Sequence, residues 1–133
     1  ELILYLLVDV SPSSGFSSTP ATKRELAAEI ATLLAFAADA NNDKTGLICF
    51  TDRIELYIPP KRGMQHILRM AREILYLEPK GKGTNLGVAT DLLMRVTKRP
   101  CVAFLISDFH AHGYAPSMQP PPTGPDQATS TSC

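Results

Sequence analysis

The sequence predicts an α/β domain with a mainly parallel sheet, an expectation that rests on apolar strands, amphipathic helices and the order in which they alternate. Two runs, Leu2–Val10 and Cys101–Ile106, are almost continuously apolar, which is typical of parallel strands covered on both faces. Three segments between them repeat apolar residues at steps of three and four, as amphipathic helices do. Strands and helices that alternate through right-handed crossovers give a three-layer, doubly wound fold.

The first half of the chain supplies one of these strands, a covering helix and a hairpin. The spacing of Thr22 and Glu25 is that of a capping box, so we expect the first helix to begin there. Thr45–Phe50 is the second predicted strand, and the alternating segment Ile54–Ile58 is the third, closed by Pro59-Pro60. We expect these two strands to form a hairpin at the edge of the sheet.

The second half of the chain supplies two more helices and the last strand. The second helix begins at Met64 and ends before Pro79, because a proline disfavours helical backbone at the residue before it. A glycine-rich stretch then leads to Thr84, the predicted N-cap of a third helix that continues to Val96. The last strand, fourth in chain order, is followed by Asp108.

The end of the chain differs in composition from the rest. Residues 115–133 contain five prolines, six serines or threonines and one charged residue. Such a segment lacks the apolar content to pack, so we expect a disordered tail. The domain organisation predicted here is therefore a folded part at residues 1–114 and a tail at residues 115–133.

Size and charge narrow the functional classes. The chain has 133 residues, 44% of them hydrophobic and 20% charged, which suits one small globular domain. Its 13 basic and 13 acidic groups cancel, so the long-range attraction for polyanions is missing and we expect no nucleic-acid partner. The apolar run at Leu2 to Val8 is too short to cross a bilayer, and no basic segment precedes it. We expect a cytoplasmic location and no direct membrane insertion.

Oxygen-bearing side chains follow two of the buried strands. Asp9, Ser11 and Ser13 alternate at the end of the first strand, and Asp108 follows the last one. Ligands of open parallel sheets bind beyond the carboxyl ends of the strands, so neighbouring strands would direct both carboxylates into one crevice. Thr84 adds a further hydroxyl. Because oxygen is the only ligand atom offered, we predict a Mg²⁺ site, with Mn²⁺ or Ca²⁺ as alternative ions, whose open position would recruit a carboxylate.

Other interpretations of the same residues stay open. Asp9 and the serines after it also suit a turn in which the carboxylate caps backbone amides, and Thr84 suits a simple helix cap. A Mg²⁺-dependent phosphohydrolase could use Asp9 as its nucleophile, although Ser11 occupies the position where such enzymes usually carry a second carboxylate, and Lys82 is only a loose candidate for their lysine. A metal-free scaffold is the third possibility.

Longer segments of the sequence carry a family resemblance. The Asp-x-Ser-x-Ser run, the Gly-Thr-Asn segment and the Ser-Asp pair resemble the metal-ion-dependent adhesion site of von Willebrand factor A-like domains. More narrowly, LVDVSPSSGF, TKRELAAEIATLLAFAA, DKTGLICFTDRIELYIPPKRG and FLISDFHAHGY resemble the bacterial family called domain of unknown function fifty-eight. The resemblance extends from Leu2 to Tyr114. It implies the strand order 3-2-1-4, a metal crevice between strands one and four, and a domain truncated after strand four, which would leave that strand as an exposed edge.

The resemblance also implies a function, a divalent-metal-dependent protein-interaction module that is not an enzyme. Ser11, Ser13 and Thr84 would bind the ion directly, and Asp9 and Asp108 directly or through water. Members of the family are commonly associated with MoxR-type AAA+ ATPases, so such an ATPase is the expected partner in chaperone-like assembly.

One position departs from the family pattern. The residue after Thr84 is often acidic in relatives, but here it is Asn85, which lowers the negative charge near the ion.

Overall fold

The computed structural model describes residues 2–12, 20–107 and 128–132, with side chains for residues 2–12 and 23–107. Most elements lie where the sequence predicts them. In chain order they are β1 (Ile3–Asp9), α1 (Pro20–Ala40), β2 (Lys44–Phe50), β3 (Ile54–Lys61), α2 (Met64–Tyr76), α3 (Leu86–Val96), β4 (Val102–Ile106) and β5 (Ala128–Ser132).

The sheet has the order β3-β2-β1-β4-β5, so the predicted order 3-2-1-4 is confirmed. The central strand β1 is parallel to both β2 and β4, whereas β3 and β5 are antiparallel to their neighbours. Asp9 pairs with Phe50 of β2, and Val8 pairs with Ile106 of β4. The carboxyl ends of the three parallel strands therefore meet at one edge of the sheet.

Helices cover both faces of β1, as its continuous apolar run predicts. Leu4, Leu6 and Val8 pack with α1 and α2 on one face, and Tyr5 and Leu7 pack with α3 on the other. Successive side chains of a strand alternate between the two faces, so a strand with helices on both sides has to be apolar at every position. The predicted three-layer α/β fold is confirmed.

Two element boundaries differ from the prediction. Helix α1 begins at Pro20 rather than near Thr22, because the fixed φ of proline and its missing N–H suit the first turn of a helix. Strand β3 continues through Pro59-Pro60 to Lys61. It is an edge strand, and proline is tolerated where one side of the strand has no ladder to complete.

The expectation of a disordered tail is wrong for residues 128–132. These residues form β5, which pairs along the whole of β4, from Val102 opposite Ser132 to Ile106 opposite Ala128. A free parallel-sheet edge offers unpaired N–H and C=O groups, and the β-branched Thr129 and Thr131 favour extended backbone. Strand β4 is therefore not the exposed edge that the family pattern implies. The remainder of the tail, residues 115–127 and 133, lies outside the described residues.

None of the three helices in the described part of the chain is both long enough and apolar enough to cross a membrane.

Candidate metal centre

Asp9 lies at the carboxyl end of the central strand and is buried, with 8% of its surface exposed. Its Oδ1 accepts hydrogen bonds from the Ser11 hydroxyl at 2.6 Å and from the Ser11 amide at 2.9 Å. Its Oδ2 accepts one from the Ser107 hydroxyl at 3.0 Å. A buried carboxylate needs such donors because it has lost most of its water. The charge of Asp9 is thus held at the sheet edge by residues from the ends of both β1 and β4.

A second hydroxyl reaches the same point from a distant part of the chain. Thr84 Oγ1 donates to Ser11 Oγ at 2.7 Å, although the two residues are 73 positions apart. Ser11 is itself buried, and Thr84 lies on the loop between α2 and α3. The oxygens of Asp9, Ser11 and Thr84 therefore form one continuous hydrogen-bonded chain, which we call the oxygen chain.

The predicted capping role of Thr84 is wrong. The N-cap of α3 is Asn85, whose Oδ1 accepts a hydrogen bond from the Gly87 amide at 2.9 Å. Asparagine is among the best N-cap residues, and the loop geometry puts it, rather than Thr84, at the helix start. The hydroxyl of Thr84 is therefore directed to Ser11 instead of to the helix.

Arg24 fixes the backbone beside the oxygen chain. Its guanidinium donates to the carbonyls of Leu77 at 2.8 Å, Ile74 at 3.0 Å and Val10 at 3.3 Å. Partial burial lowers the pKa of Arg24, but arginine titrates so far above neutral pH that it stays charged. Arg24 thus connects α1 to the end of α2 and to the residue that follows β1.

A small cavity of about 30 Å³ opens beside Asp9, between the ends of β1 and β4 and the first turns of α1. Two of the residues that line it, Lys23 and Arg24, are basic. Its lining residues are Asp9, Lys23, Arg24, Leu26, Ala27, Ile30, Ile106 and Ser107.

The structure thus brings together three of the five residues predicted as ligands, namely Asp9, Ser11 and Thr84. The other two, Ser13 and Asp108, lie outside the described residues, and their part in the site stays a prediction. Among the residues that are described, no cluster of three or more histidine, cysteine, aspartate or glutamate side chains could hold an ion. The described part of the site offers one carboxylate and two hydroxyls.

Two residues that matter for this geometry were not selected from the sequence. Ser107 donates to Asp9, and its signal was its position directly after the last apolar strand. Arg24 gave no such signal, because the three carbonyls that it binds belong to two segments far from it in the sequence.

The donor set fits a hard divalent cation. All the described candidate ligand atoms are oxygens, and neighbouring atoms of the oxygen chain lie 2.6 and 2.7 Å apart. Mg²⁺, Mn²⁺ and Ca²⁺ favour carboxylate and neutral oxygen ligands, and Mg²⁺ in particular retains several waters and needs few protein ligands.

Comparison with known proteins places the chain in a family. Relatives from Mycobacterium bovis and Mycobacterium tuberculosis, both described as uncharacterized proteins, are 32% identical over 111 residues, which is 82% of this chain and 35% of each relative. The chain thus spans about a third of the length of these curated relatives. A crystal structure of an aerotolerance-related membrane protein from Bacteroides fragilis, with multiple mutations to serines, has a TM-score of 0.61 and 19% identity over 84% of this chain and 56% of that one, which shows a shared fold. The family model described as "Protein of unknown function DUF58" matches residues 1–121, and the chain belongs to that family.

Proposed function

We propose that this domain binds Mg²⁺ at the carboxyl edge of its sheet and, through the ion, captures an acidic side chain of another protein. The observation that carries the proposal is the oxygen chain, in which the buried carboxylate of Asp9 and the nearby Ser11 hydroxyl meet the Thr84 hydroxyl from a distant segment. Asp9, Ser11 and Thr84 would hold the ion, and Ser13 and Asp108 would complete the set. No bond is made or broken in this role, so the domain is an interaction module rather than an enzyme.

The charge balance favours an acidic partner group. A doubly charged ion held by Asp9 and Asp108 is about neutralised, so an additional anionic oxygen can still bind at a free coordination position. Lys23 and Arg24 line the cavity beside Asp9 and add positive charge where that group would approach.

The partner part of the proposal rests on the family resemblance. A MoxR-type AAA+ ATPase is the partner we propose, with the domain acting in the cytoplasm in chaperone-like assembly. Because the chain covers about a third of its curated relatives, this role is proposed for the domain within a longer protein.

The first test is a Mg²⁺ titration followed by the melting temperature. An ion that binds only the folded state stabilises it by mass action, by about 2.7 kcal/mol when the ion is at a hundred times its Kd. We expect the melting temperature of the wild type to rise with Mg²⁺, and the rise to disappear in Asp9→Asn and in Thr84→Val. Thr84→Ser, which keeps the hydroxyl, should retain most of it.

The matched control is Asp91→Asn, which removes an exposed carboxylate on α3 and should leave the Mg²⁺ effect intact. Capture of the MoxR-type ATPase of the same bacterium should then require Mg²⁺ and be lost in EDTA. If Mg²⁺ does not change the melting temperature of the wild type, the result supports the metal-free scaffold instead. Unchanged capture of the ATPase by Asp9→Asn would contradict the assignment of Asp9 to the metal site.

A further inference from the structure

The loop between α2 and α3 is held by a carboxylate that lies outside the oxygen chain. Glu55 of β3 accepts hydrogen bonds from the Gly81 amide at 2.8 Å and from the Lys80 amide at 3.1 Å. The same carboxylate accepts one from the Thr51 hydroxyl at 2.8 Å. Thr51 is fully buried, so the loop is tied to a rigid part of the β2–β3 hairpin.

The hairpin also fixes the other end of the loop. The carbonyl of Thr51 accepts a hydrogen bond from the Asn85 amide at 2.9 Å. Thr84 therefore lies between Gly81 and Asn85, whose backbone amides are both bonded to the hairpin. Its own side chain is exposed. The position of its hydroxyl is consequently set by the loop backbone rather than by packing around the side chain.

The loop backbone lies too close to the hairpin for a side chain at Gly81, but not at Gly83. A Cβ at Gly81 would collide with the side-chain oxygens of Thr51 and Asp52. At Gly83 the nearest atom to such a Cβ is Asp52 Oδ2 at 3.6 Å, an ordinary contact. Gly81 is thus required for the loop to reach Glu55, whereas an alanine at position 83 would fit.

From this arrangement we propose that Glu55 is a positioning residue for the metal centre. It holds the segment from Lys80 to Gly81, and with the Thr51 carbonyl it fixes the backbone that delivers the Thr84 hydroxyl to Ser11. The proposal deepens the proposed function and rests on it, because the ion is the ligand that Thr84 would bind. Groups that orient ligands in this way commonly affect metal affinity by about 10- to 100-fold.

The test is a Mg²⁺ affinity measurement by calorimetry on the full chain. We expect Glu55→Ala to weaken binding about tenfold, whereas Glu55→Gln keeps an acceptor oxygen and most of the affinity. Gly81→Ala should resemble Glu55→Ala, and Gly83→Ala should bind like the wild type. In a Thr84→Ala background, Glu55→Ala should have little additional effect, since residues that act through one group are not additive.

Hydrogen exchange at the Asn85 amide in metal-free protein gives a second measurement. Glu55 does not contact this amide, so faster exchange in Glu55→Ala would report release of the whole loop. Unchanged Mg²⁺ affinity in Glu55→Ala, or an equal loss with and without Thr84, would overturn the positioning role. If the wild type binds no Mg²⁺, the proposed function fails, and unchanged exchange at Asn85 would then reject the positioning role separately.

Discussion

At the scale of single residues, Arg24 binds three backbone carbonyls near the candidate site. One guanidinium binds carbonyls that follow β1 and that end α2, and these are groups that water would otherwise have to satisfy. Hydrogen bonds from a charged donor contribute more to stability than neutral ones, and unpaired carbonyls left behind by a mutation add to the loss.

We therefore expect Arg24→Ala to lower the free energy of unfolding by about 2 kcal/mol. Arg24→Lys should recover only part of this, because an ammonium group cannot match the fork of a guanidinium. Urea denaturation measures both variants. Arg72→Ala, at an exposed position of α2, is the control and should change stability little. Equal stability of the Arg24→Ala and Arg72→Ala variants would contradict the idea that Arg24 stabilises the fold through these carbonyls.

The start of α3 shows why some features of the site could not be predicted from the sequence. Thr84 and Asn85 are adjacent, and both are residue types that cap helices well. Which of them caps depends on the backbone of the preceding loop, and that backbone is fixed by hydrogen bonds to the β2–β3 hairpin. Contacts between segments that are distant in sequence leave no local pattern.

The helix cap gives a prediction at the scale of the element. Asn85→Ala removes the acceptor for the Gly87 amide and should lower the free energy of unfolding by about 1 kcal/mol. Asn85→Asp should keep the cap and, by adding negative charge near the ion, should not weaken Mg²⁺ binding. Thermal denaturation in the absence of metal measures the contribution of the Asn85 cap to stability. A larger loss of stability in Thr84→Ala than in Asn85→Ala would mean that Thr84 is the cap after all.

The hydrogen bonds between Glu55 and the loop that joins α2 to α3 also predict that stability depends on pH. Partial burial acts to raise the pKa of Glu55, but the hydrogen bonds from Gly81, Lys80 and Thr51 outweigh it and hold the pKa below the ordinary value of 4.5. The ionised form is therefore favoured by folding. Its stabilisation is complete above the ordinary pKa and is lost as the pH falls through the lowered one.

We expect the free energy of unfolding to fall less steeply in Glu55→Gln than in the wild type over this acidic range. Urea denaturation at a series of pH values from neutral downward measures the difference. Glu78→Gln, at an exposed position after α2, is a suitable control and should follow the wild type. If the free energy of unfolding falls equally with pH in Glu55→Gln and in the wild type, the loop amides do not favour the ionised form of Glu55.

At the scale of the whole molecule, the strand order and the three layers follow from patterns that the sequence carries. Leu2–Val8 is apolar at every position because helices cover both faces of β1, and this places β1 at the centre of the sheet. The site residue Asp9 follows from the same pattern, since it is the charge that ends this run. Strand β5 was not predicted, because a segment rich in serine and threonine forms a strand only when a free edge is available.

The pairing of β5 with β4 can be tested with prolines. In a strand, successive N–H groups point to opposite sides, so replacing both Ser130 and Thr131 by proline removes one N–H that faces β4. We expect this variant to be less stable and to associate, since an unpaired β4 edge can bind a second molecule. Light scattering after size-exclusion chromatography detects association. The control, in which alanine replaces both Ser130 and Thr131, should remain monomeric. A proline variant that is also monomeric and as stable as the wild type would contradict the pairing of β5 with β4.

The long sequence separation within the oxygen chain has a consequence for folding. Thr84 meets Ser11 across 73 positions and Ser107 meets Asp9 across 98, so these groups converge only after the crossovers around β1 are complete. A chain that is partly folded holds the same residues far apart and would have no comparable affinity for an ion. Under the proposed function, occupancy of the site would therefore report that these crossovers have formed, and capture of a partner would be restricted to molecules folded to that extent.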